Sequence, residues 1–343
     1  MAYTTINKST DNFTPFTFSG TGQSSVTGVG FTPDMFIHKN RGNSQSWGVI
    51  DVIRGNGNYL GINSSNAELS DVNNYGIASD GYTFPNADAF FNSGSMVYYN
   101  WKAGGAVSNN NNNDGQGYST VSANTTAGFS IVKYTGTGSN TNFGHGLGVA
   151  PKVIIIKRLD SADQWIMYHN SIGNTGGMYP NLTNSVVDND TWFNDTSPTS
   201  SVFYVGSNSK VNASSGSYIA YCFAEKTGYS KFGSYTGNGN ANGTFIYTGF
   251  KPAWVYLKNT QQGGDHWYIW DNKRSEYNQT QKYLGTSRNN AEADSSSYAI
   301  DMLSNGFKIR SSTGAINNNG EKLIYMTIGQ SLVGSNNVPC TAR

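Results

Sequence analysis

The sequence is poor in charged residues and in long apolar runs. Asp, Glu, Lys and Arg make up 13% of its 343 residues, about half the usual share. The charges of the 22 basic and 21 acidic residues nearly cancel, and the basic residues form no Lys/Arg run. The sequence therefore offers no basic patch that would attract a nucleic-acid backbone. No apolar stretch reaches the ~18 residues of a membrane-spanning helix. Residues 1–13 show neither the basic nor the apolar region of a signal peptide.

Cysteine is almost absent. Cys222 lies in an apolar run and Cys340 near the C-terminus, which argues against a disulfide framework and against a cysteine metal site, and fits folding in a reducing cytoplasm. No segment combines a sustained 3.6-residue period with helix caps, so we expect no long helix. No two of the four histidines are spaced as a metal-binding pair; they are His38, His145, His169 and His266.

Turn-forming and strand-forming residues are abundant instead. The chain contains 41 Gly, 22 Tyr and 17 Phe, together with many Asn, Ser and Thr. Gly, Asn and Ser favour turns, whereas Tyr, Phe, Thr and Val suit a pleated surface. A disordered chain would lack so many aromatic residues. The composition therefore predicts an all-β protein.

Three segments of the chain repeat the same series of motifs. An aromatic or aliphatic strand ending in Ser/Thr-Gly-Thr/Asn-Gly is followed by Gly-x-x-Pro, an apolar run, and a Trp that opens another strand. The prolines are offset by 118 and 101 residues and the tryptophans by 118 and 102, and such matching offsets indicate an internal repeat. The phrases are at 16–22, 132–138 and 232–239, the prolines are Pro33, Pro151 and Pro252, and the tryptophans are Trp47, Trp165 and Trp267.

The repeat predicts three tandem antiparallel β-sandwiches, each of about six short strands and each long enough to hold its own core. The predicted segments are unit 1 (1–105), an Asn/Gly/Ser-rich linker (106–127), unit 2 (128–226), unit 3 (227–331) and a C-terminal tail (332–343).

Alternation along the last strand of each unit predicts which side faces the core. In unit 1, Val97, Tyr99 and Trp101 share an apolar face, whereas Tyr98 and Asn100 lie on a mixed face that we expect to be only partly covered. The corresponding apolar faces are Ile219, Tyr221 and Phe223 in unit 2, and Ile324, Met326 and Ile328 in unit 3. The stretch Lys152–Lys157 is apolar on both faces and predicts a strand buried on both sides.

Several residues are candidates for a binding or catalytic role, but for each of them a structural role is favoured. The repeated tryptophans could stack on carbohydrate, but they alternate in phase with apolar residues and are assigned to the core. Asp51, His169 and Asp271 occupy one aligned position. A catalytic or metal-binding role would require one chemistry there, so a hydrogen bond to a nearby turn is favoured.

The acidic residues give no clear active site. Glu68 and Glu292 lie in matched phrases of units 1 and 3, but two carboxylates in different units cannot be assumed to meet on one glycosidic bond. The stretch Asp188–Asp195 holds three carboxylates without the spacing of a calcium loop, and is assigned to a solvated loop. Sequons such as those at Asn63 and Asn124 follow from composition. We therefore predict a non-catalytic protein with no cofactor, no metal and no assigned ligand-binding residue.

The repeat motifs resemble those of a family of virion proteins from marine bacteriophages, including phages of cyanobacteria. The resemblance is carried by the aromatic-Thr-Gly-Thr-Gly phrases and by "DVIRG" (Asp51–Gly55), "WKAGG" (Trp101–Gly105) and "CFAEKTGYSKFGSYTGNG" (Cys222–Gly239). It runs from about Thr4 to the C-terminus and implies lectin-like, jelly-roll sandwiches. Unit 2 departs from the "DVIRG" pattern.

The resemblance implies a structural protein of the virion, assembled in the host cytoplasm. We expect a tail-fibre or head-fibre component, an adhesin that touches host-surface glycans. The alternative is a capsid decoration or other structural protein that binds only virion partners. A depolymerase lacks a supporting carboxylate pair. By analogy with fibres we expect a homo-oligomer, in the form of a trimer. We expect neither nucleic-acid binding nor membrane insertion.

Overall fold

The computed structural model describes residues 4–70, 75–84, 87–105, 110–111 and 117–331. It is about 44% strand and 6% helix, which confirms the all-β class. The paired strands are antiparallel, and none of the sheets closes into a barrel. The predicted C-terminal tail (332–343), including Cys340, and residues 106–109 and 112–116 of the predicted Asn-rich linker lie outside the described residues.

The three units have similar series of strands. Unit 1 contains a 3-10 helix (Ser9–Asp11) and β1 (Phe13–Thr21), β2 (Ser25–Thr27), β3 (Met35–Asn40), β4 (Gly48–Asp51), β5 (Asn58–Tyr59), β6 (Leu69–Ser70), β7 (Gly76–Ala78), β8 (Gly81–Thr83) and β9 (Ser93–Trp101). Between units 1 and 2 lie β10 (Asn110–Asn111) and β11 (Tyr118–Asn124). Unit 2 contains β12 (Phe129–Thr135), β13 (Thr141–Gly144), β14 (Val153–Arg158), β15 (Ile166–His169), β16 (Gly173–Met178), β17 (Val187–Asp188), α1 (Asp190–Phe193), β18 (Val202–Val205), α2 (Ser209–Asn212) and β19 (Ser217–Phe223). Unit 3 contains β20 (Ser230–Thr236), β21 (Phe245–Tyr247), β22 (Lys251–Asn259), β23 (Tyr268–Asp271), β24 (Lys282–Gly285), β25 (Ala293–Asp294), a 3-10 helix (Ser296–Tyr298), β26 (Ile300–Leu303), β27 (Gly306–Ile309), α3 (Gly314–Asn317) and β28 (Lys322–Gln330).

Each unit has one large and one small sheet, and unit 1 has in addition the two-stranded sheet β5-β6. The large sheets run β1-β9-β3-β4, β10-β11-β12-β19-β14-β15-β16-β17 and β20-β28-β22-β23-β24-β25, and the small sheets are β2-β8-β7, β13-β18 and β21-β27-β26. In every unit the last long strand pairs between the first and the strand that follows the Gly-x-x-Pro motif. This central position explains why those strands carry few charges.

The repeated Ser/Thr-Gly-x-Gly phrase is a turn held by a buried asparagine. The second glycine of each phrase has positive φ, a conformation that favours glycine, and donates its N–H to an asparagine carbonyl. The first glycine is needed for close approach: a Cβ at Gly136 would lie 2.2 Å from the carbonyl oxygen of Ala213. The three glycine–asparagine pairs are Gly22–Asn92, Gly138–Asn212 and Gly239–Asn317, at 3.1, 2.9 and 2.9 Å.

Residues of all three units share one central apolar core. Its members include the predicted core faces of β9, β19 and β28 together with Trp47, Trp165 and Trp267. In addition, each unit has its own core between its large and small sheets. The units therefore pack as three two-layered bodies whose large sheets face one another.

Both faces of the last strands are buried, so the expectation of a partly covered second face was wrong. Tyr98 and Asn100 of β9 are both fully buried. The Tyr98 hydroxyl donates to the carbonyl of Phe91 at 2.6 Å, and such pairing removes most of the cost of burying polar atoms. In unit 2, β14 is buried on both sides as predicted: Val153 and Ile155 enter the shared core, and Ile154 and Ile156 the core of unit 2.

Part of the predicted linker belongs to the large sheet of unit 2. Strand β11 pairs with β12 from Ser119↔Tyr134 to Asn124↔Phe129. Its Val121 side chain is buried in the core of unit 2. Strand β11 is not evident from the sequence because its apolar residues are few and small.

Candidate binding site

Tryptophan side chains connect the units in a cyclic order. Trp47, Trp165 and Trp267 are buried, as predicted, but each indole N–H also crosses to another unit. Trp165 of unit 2 donates to the carbonyls of Gly61 and Ser64 of unit 1, at 3.0 and 3.1 Å. Trp47 of unit 1 donates to carbonyls of unit 3, those of Gly285 and Arg288, at 3.0 and 3.1 Å. Trp267 of unit 3 donates to Tyr179 of unit 2 at 2.9 Å.

Backbone hydrogen bonds join the same pairs of units, with donor and acceptor units in the opposite cyclic order. Glu68 of unit 1 donates its N–H to Leu159 of unit 2, Val186 of unit 2 to Thr260 of unit 3, and Glu292 of unit 3 to Arg41 of unit 1, at 2.8, 2.9 and 2.8 Å. Unit 1 thus contacts unit 2, unit 2 contacts unit 3, and unit 3 contacts unit 1. The three units form a closed ring with pseudo-threefold symmetry, and we refer to the 1–2, 2–3 and 3–1 interfaces.

A buried ion pair lies at the 1–2 interface. One Asp51 oxygen accepts the N–H groups of Ile53 and Arg54, both at 3.0 Å, which is the turn contact that the sequence predicted. The other oxygen accepts the Arg54 guanidinium at 2.5 Å and the Tyr221 hydroxyl of unit 2 at 2.7 Å. Burial is the largest single effect on the pKa of Arg54 and lowers it, but Asp51, Tyr221 and Glu68 together raise the pKa above its usual value. Arg54 also reaches Glu68 at 3.2 Å.

The 3–1 interface repeats this arrangement. Asp271 accepts the Arg274 guanidinium and, at 2.8 Å, the Tyr99 hydroxyl of unit 1. Burial, in the first place, raises the pKa of Tyr99 well above its usual value. Glu292 accepts Arg274 at 3.1 Å and binds Arg41 of unit 1 through two bonds of 2.9 and 2.8 Å. Two-point contacts of this kind are the strongest arginine–carboxylate geometry.

The 2–3 interface has a different chemistry. His169 accepts the Ser171 N–H at Nδ1, so the proton lies on Nε2, which donates to the carbonyl of Tyr325 of unit 3; both distances are 3.2 Å. Burial lowers the pKa of His169 to about 4, and the ring is therefore neutral near pH 7. Position 172, aligned with Arg54 and Arg274, is an isoleucine that packs against the shared core.

The acidic candidates do not converge on a common point. Glu68 and Glu292 each bind arginine at separate interfaces. The stretch Asp188–Asp195 includes α1, which is capped by the Asn189 side chain on the Thr191 N–H at 3.0 Å. In the described part of the chain, no group of three or more His, Cys, Asp or Glu residues is placed to hold a metal ion. Among the same residues, no helix is long and apolar enough to cross a membrane.

A polar cleft of about 710 Å³ lies above the 3–1 interface, within the usual range for ligand sites. Its floor contains Arg41 and Arg274. Its wall is the segment between β23 and β24, from which the Tyr277 ring projects with 81% of its surface exposed. The other lining residues are Lys273, Ser275, Glu276, Asn278, Gln279, Gln281, Lys282 and Asp294.

The wall of this cleft is peculiar to unit 3. Tyr59 follows Asp51 by eight positions, whereas Tyr283, which aligns with Tyr59, follows Asp271 by twelve. Unit 3 thus carries four additional residues here, and they include an aromatic side chain. The motifs that the units share do not indicate this site; the signal in the sequence is the difference in length between the aligned segments.

Three further concavities in the described part of the chain have smaller volumes. One of about 260 Å³ on unit 2 is lined by Tyr118, which is 79% exposed, with Lys133 and Thr135. Another of about 490 Å³ lies between units 2 and 3 beside Tyr247 and Lys231. A central apolar cavity of about 30 Å³ is lined by side chains from all three units; cavities of this character stay dry.

Comparison with known proteins yields one match. A family model described as "Domain of unknown function (DUF7483)" matches residues 8–331, a range that covers all three units in a single match. No curated protein and no solved structure matches the chain.

Proposed function

The chain belongs to the DUF7483 family, and from its geometry we propose that it is a non-catalytic structural protein of a bacteriophage virion that contacts host-surface glycans. The proposal starts from the resemblance of the repeat motifs to phage virion proteins. The observation that supports it best is the ring itself, in which the aligned acidic, arginine and tryptophan side chains are used to join units. A side chain committed to such a buried network is poorly placed to react with a substrate.

The contact surface supports an adhesin. Outside the buried networks, the ring presents clefts lined by amide, hydroxyl and charged groups, with exposed tyrosines at Tyr118, Tyr247 and Tyr277. Tyrosine offers a large, rigid apolar face with a polar tip, which suits contact with polar partners. We propose that each unit is a jelly-roll sandwich of the lectin type, and that other virion proteins bind elsewhere on the ring. Association of several rings, as a trimer by analogy with fibres, belongs to the same proposal.

Location on the virion and glycan binding test this proposal separately. Immunogold labelling of purified virions is expected to place the protein on a tail or head fibre. A glycan array probed with the full chain is expected to show binding. Labelling spread over the capsid shell together with an empty array would contradict the adhesin and support a decoration protein. New reducing ends after incubation with host polysaccharide would contradict the absence of catalysis.

A further inference from the structure

We propose that the cleft above the 3–1 interface is the glycan-binding site and that it accepts a neutral saccharide stacked on Tyr277. This inference rests on the proposed function, since it assumes that the ring contacts glycans. It adds the position of the site, its aromatic platform and the charge class of the ligand.

The wall that carries Tyr277 is held in place. The Asn278 side chain donates to the carbonyl of Met302 at 3.0 Å and accepts the Met302 N–H at 2.9 Å. Two residues later, the backbones of Thr280 and Ile300 exchange bonds of 2.8 and 3.1 Å. The exposed ring therefore projects from an anchored segment. A site that is ordered before binding loses less conformational entropy when it binds.

The equivalent segment of unit 1 has the same anchor but lacks the additional residues and the aromatic ring. There Asn56 makes the same kind of anchor, donating to the carbonyl of Ile77 at 3.3 Å and accepting the Ile77 N–H at 2.9 Å. The residues on either side of Asn56 are glycines, Gly55 and Gly57. The anchor is thus common to both units, whereas the extra length and the aromatic ring occur in unit 3. Stability of the anchor does not require Tyr277.

The charges around the cleft balance. Arg274 is paired with Asp271, and Arg41 is paired with Glu292. Lys282 and Asp294 are direct cross-strand neighbours in β24 and β25, where opposite charges attract. Lys273 and Glu276, both exposed, complete the set. The four cations and two of the anions, Glu276 and Asp294, line the cleft, whereas Asp271 and Glu292 lie behind the lining on the two arginines. Because the eight formal charges cancel, the cleft has little net field to select a sulfated or carboxylated sugar.

The remaining lining groups suit hydroxyl-rich ligands. Gln279, Gln281 and Ser275 offer both donors and acceptors, and they lie in the same cleft as the exposed face of Tyr277. Stacking on the ring together with hydrogen bonds from neutral side chains can bind a saccharide without charge. The chemistry of the cleft therefore points to neutral hexose or N-acetylhexosamine units.

The test is binding of the full chain and of two matched tyrosine variants to an array of short neutral, sulfated and uronic-acid oligosaccharides. Tyr277→Ala is expected to reduce affinity for the best neutral glycan at least about tenfold, the loss of one aromatic anchor. Tyr118→Ala, which removes an equally exposed tyrosine from unit 2, is expected to leave affinity unchanged. Tyr277→Trp is expected to retain binding. An unaltered unfolding midpoint checks that each variant is folded.

The outcomes separate the site from the function. If the wild-type chain binds glycans and Tyr277→Ala binds equally well, the site is wrong while the proposed function stands. If Tyr118→Ala loses binding instead, the site lies on unit 2. A preference for sulfated or uronic-acid oligosaccharides that weakens steeply with added salt would contradict the neutral class. If the wild-type chain binds no glycan on the array, the proposed function fails, and this inference fails with it.

Discussion

The 1–2 and 2–3 interfaces occupy equivalent places in the ring but are joined by different groups. At the 1–2 interface a buried aspartate binds an arginine of its own unit and a tyrosine hydroxyl of the next. At the 2–3 interface a neutral histidine, His169, donates to a backbone carbonyl, and two lysines reach across to carbonyl groups. These are Lys258 to Thr183 at 3.4 Å, and Lys322 to Ser171.

At the 2–3 interface, the residues on both sides of the contact differ from those at the other two interfaces. Where units 1 and 2 have a tyrosine in the last strand (Tyr99 and Tyr221), unit 3 has Met326, which is buried in the shared core. The methionine thioether has no hydrogen to donate, and His169 does not need a donor from this strand, because it donates to the Tyr325 carbonyl and accepts the Ser171 N–H. One ring geometry is therefore compatible with an ionic and with a neutral set of contacts, provided that every buried polar group keeps a partner.

The largest effect is expected from removing a buried arginine. Arg54→Met leaves Asp51 buried beside Tyr221 without its cation, and breaking a buried pair in this way costs about 3–5 kcal/mol of unfolding free energy. Denaturant unfolding monitored by tryptophan fluorescence measures it. Arg158→Met, at a partly exposed pair with Asp160, is the control and is expected to cost less than about 1 kcal/mol. Equal effects of the two substitutions would contradict the ionic character of the 1–2 interface.

An intermediate effect is expected from the interface tryptophans. Trp165→Phe removes the indole donor from the carbonyls of Gly61 and Ser64, and the Gly61 carbonyl keeps the Ser64 N–H. Trp267→Phe removes the indole donor from the carbonyl of Tyr179, which keeps the Leu182 N–H. Loss of a buried partner costs about 1–3 kcal/mol, so both substitutions destabilise and Trp165→Phe is expected to cost more. The same unfolding experiment compares them. A larger loss for Trp267→Phe would show that the number of indole contacts does not rank the interfaces.

A pH-dependent effect, which is small at pH 6 and grows as the pH falls, distinguishes the 2–3 interface. The pKa of His169 falls from 6.5 to about 4 on folding, so between these values the unfolded chain binds a proton that the folded chain does not. Stability therefore decreases as the pH falls from 6.5 to 4, by about 1.4 kcal/mol per pH unit for one histidine. His38, whose pKa burial lowers to about 3, acts with the same sign.

Replacing the histidine isolates its contribution. His169→Gln is expected to reduce the acid slope of the unfolding free energy by one proton, whereas His38→Leu removes another proton far from the 2–3 interface. Unfolding free energies measured at several values between pH 6.5 and 4 give the slopes. An unchanged slope in His169→Gln would show that this imidazole does not titrate on unfolding.

The sequence predicted what is local and repeated. The strand periodicity, the buried Trp residues and the turn contacts of Asp51, His169 and Asp271 are all present. The second oxygen of Asp51, however, binds Tyr221, which is 170 positions away, and no local pattern shows that the units meet there. Tyr98 was placed on a partly covered face because alternation gives the orientation of a side chain but not the number of layers above it.

The cleft that contains Tyr277 could not be predicted from local sequence patterns either. Tyr277 stands in a segment without strand periodicity, and its exposure depends on how Asn278 anchors to Met302 in a neighbouring strand. Arg41 reaches the floor of the same cleft from another unit. Only the closure of the ring brings these residues together.

Calorimetric unfolding of the full chain tests the shared core most directly. Three units that share a core and three polar interfaces are expected to unfold in one transition, with a calorimetric enthalpy close to the van't Hoff enthalpy. Arg54→Met is expected to shift that transition as a whole. Three separable transitions, of which Arg54→Met shifts only one, would contradict the ring and indicate three domains that unfold independently.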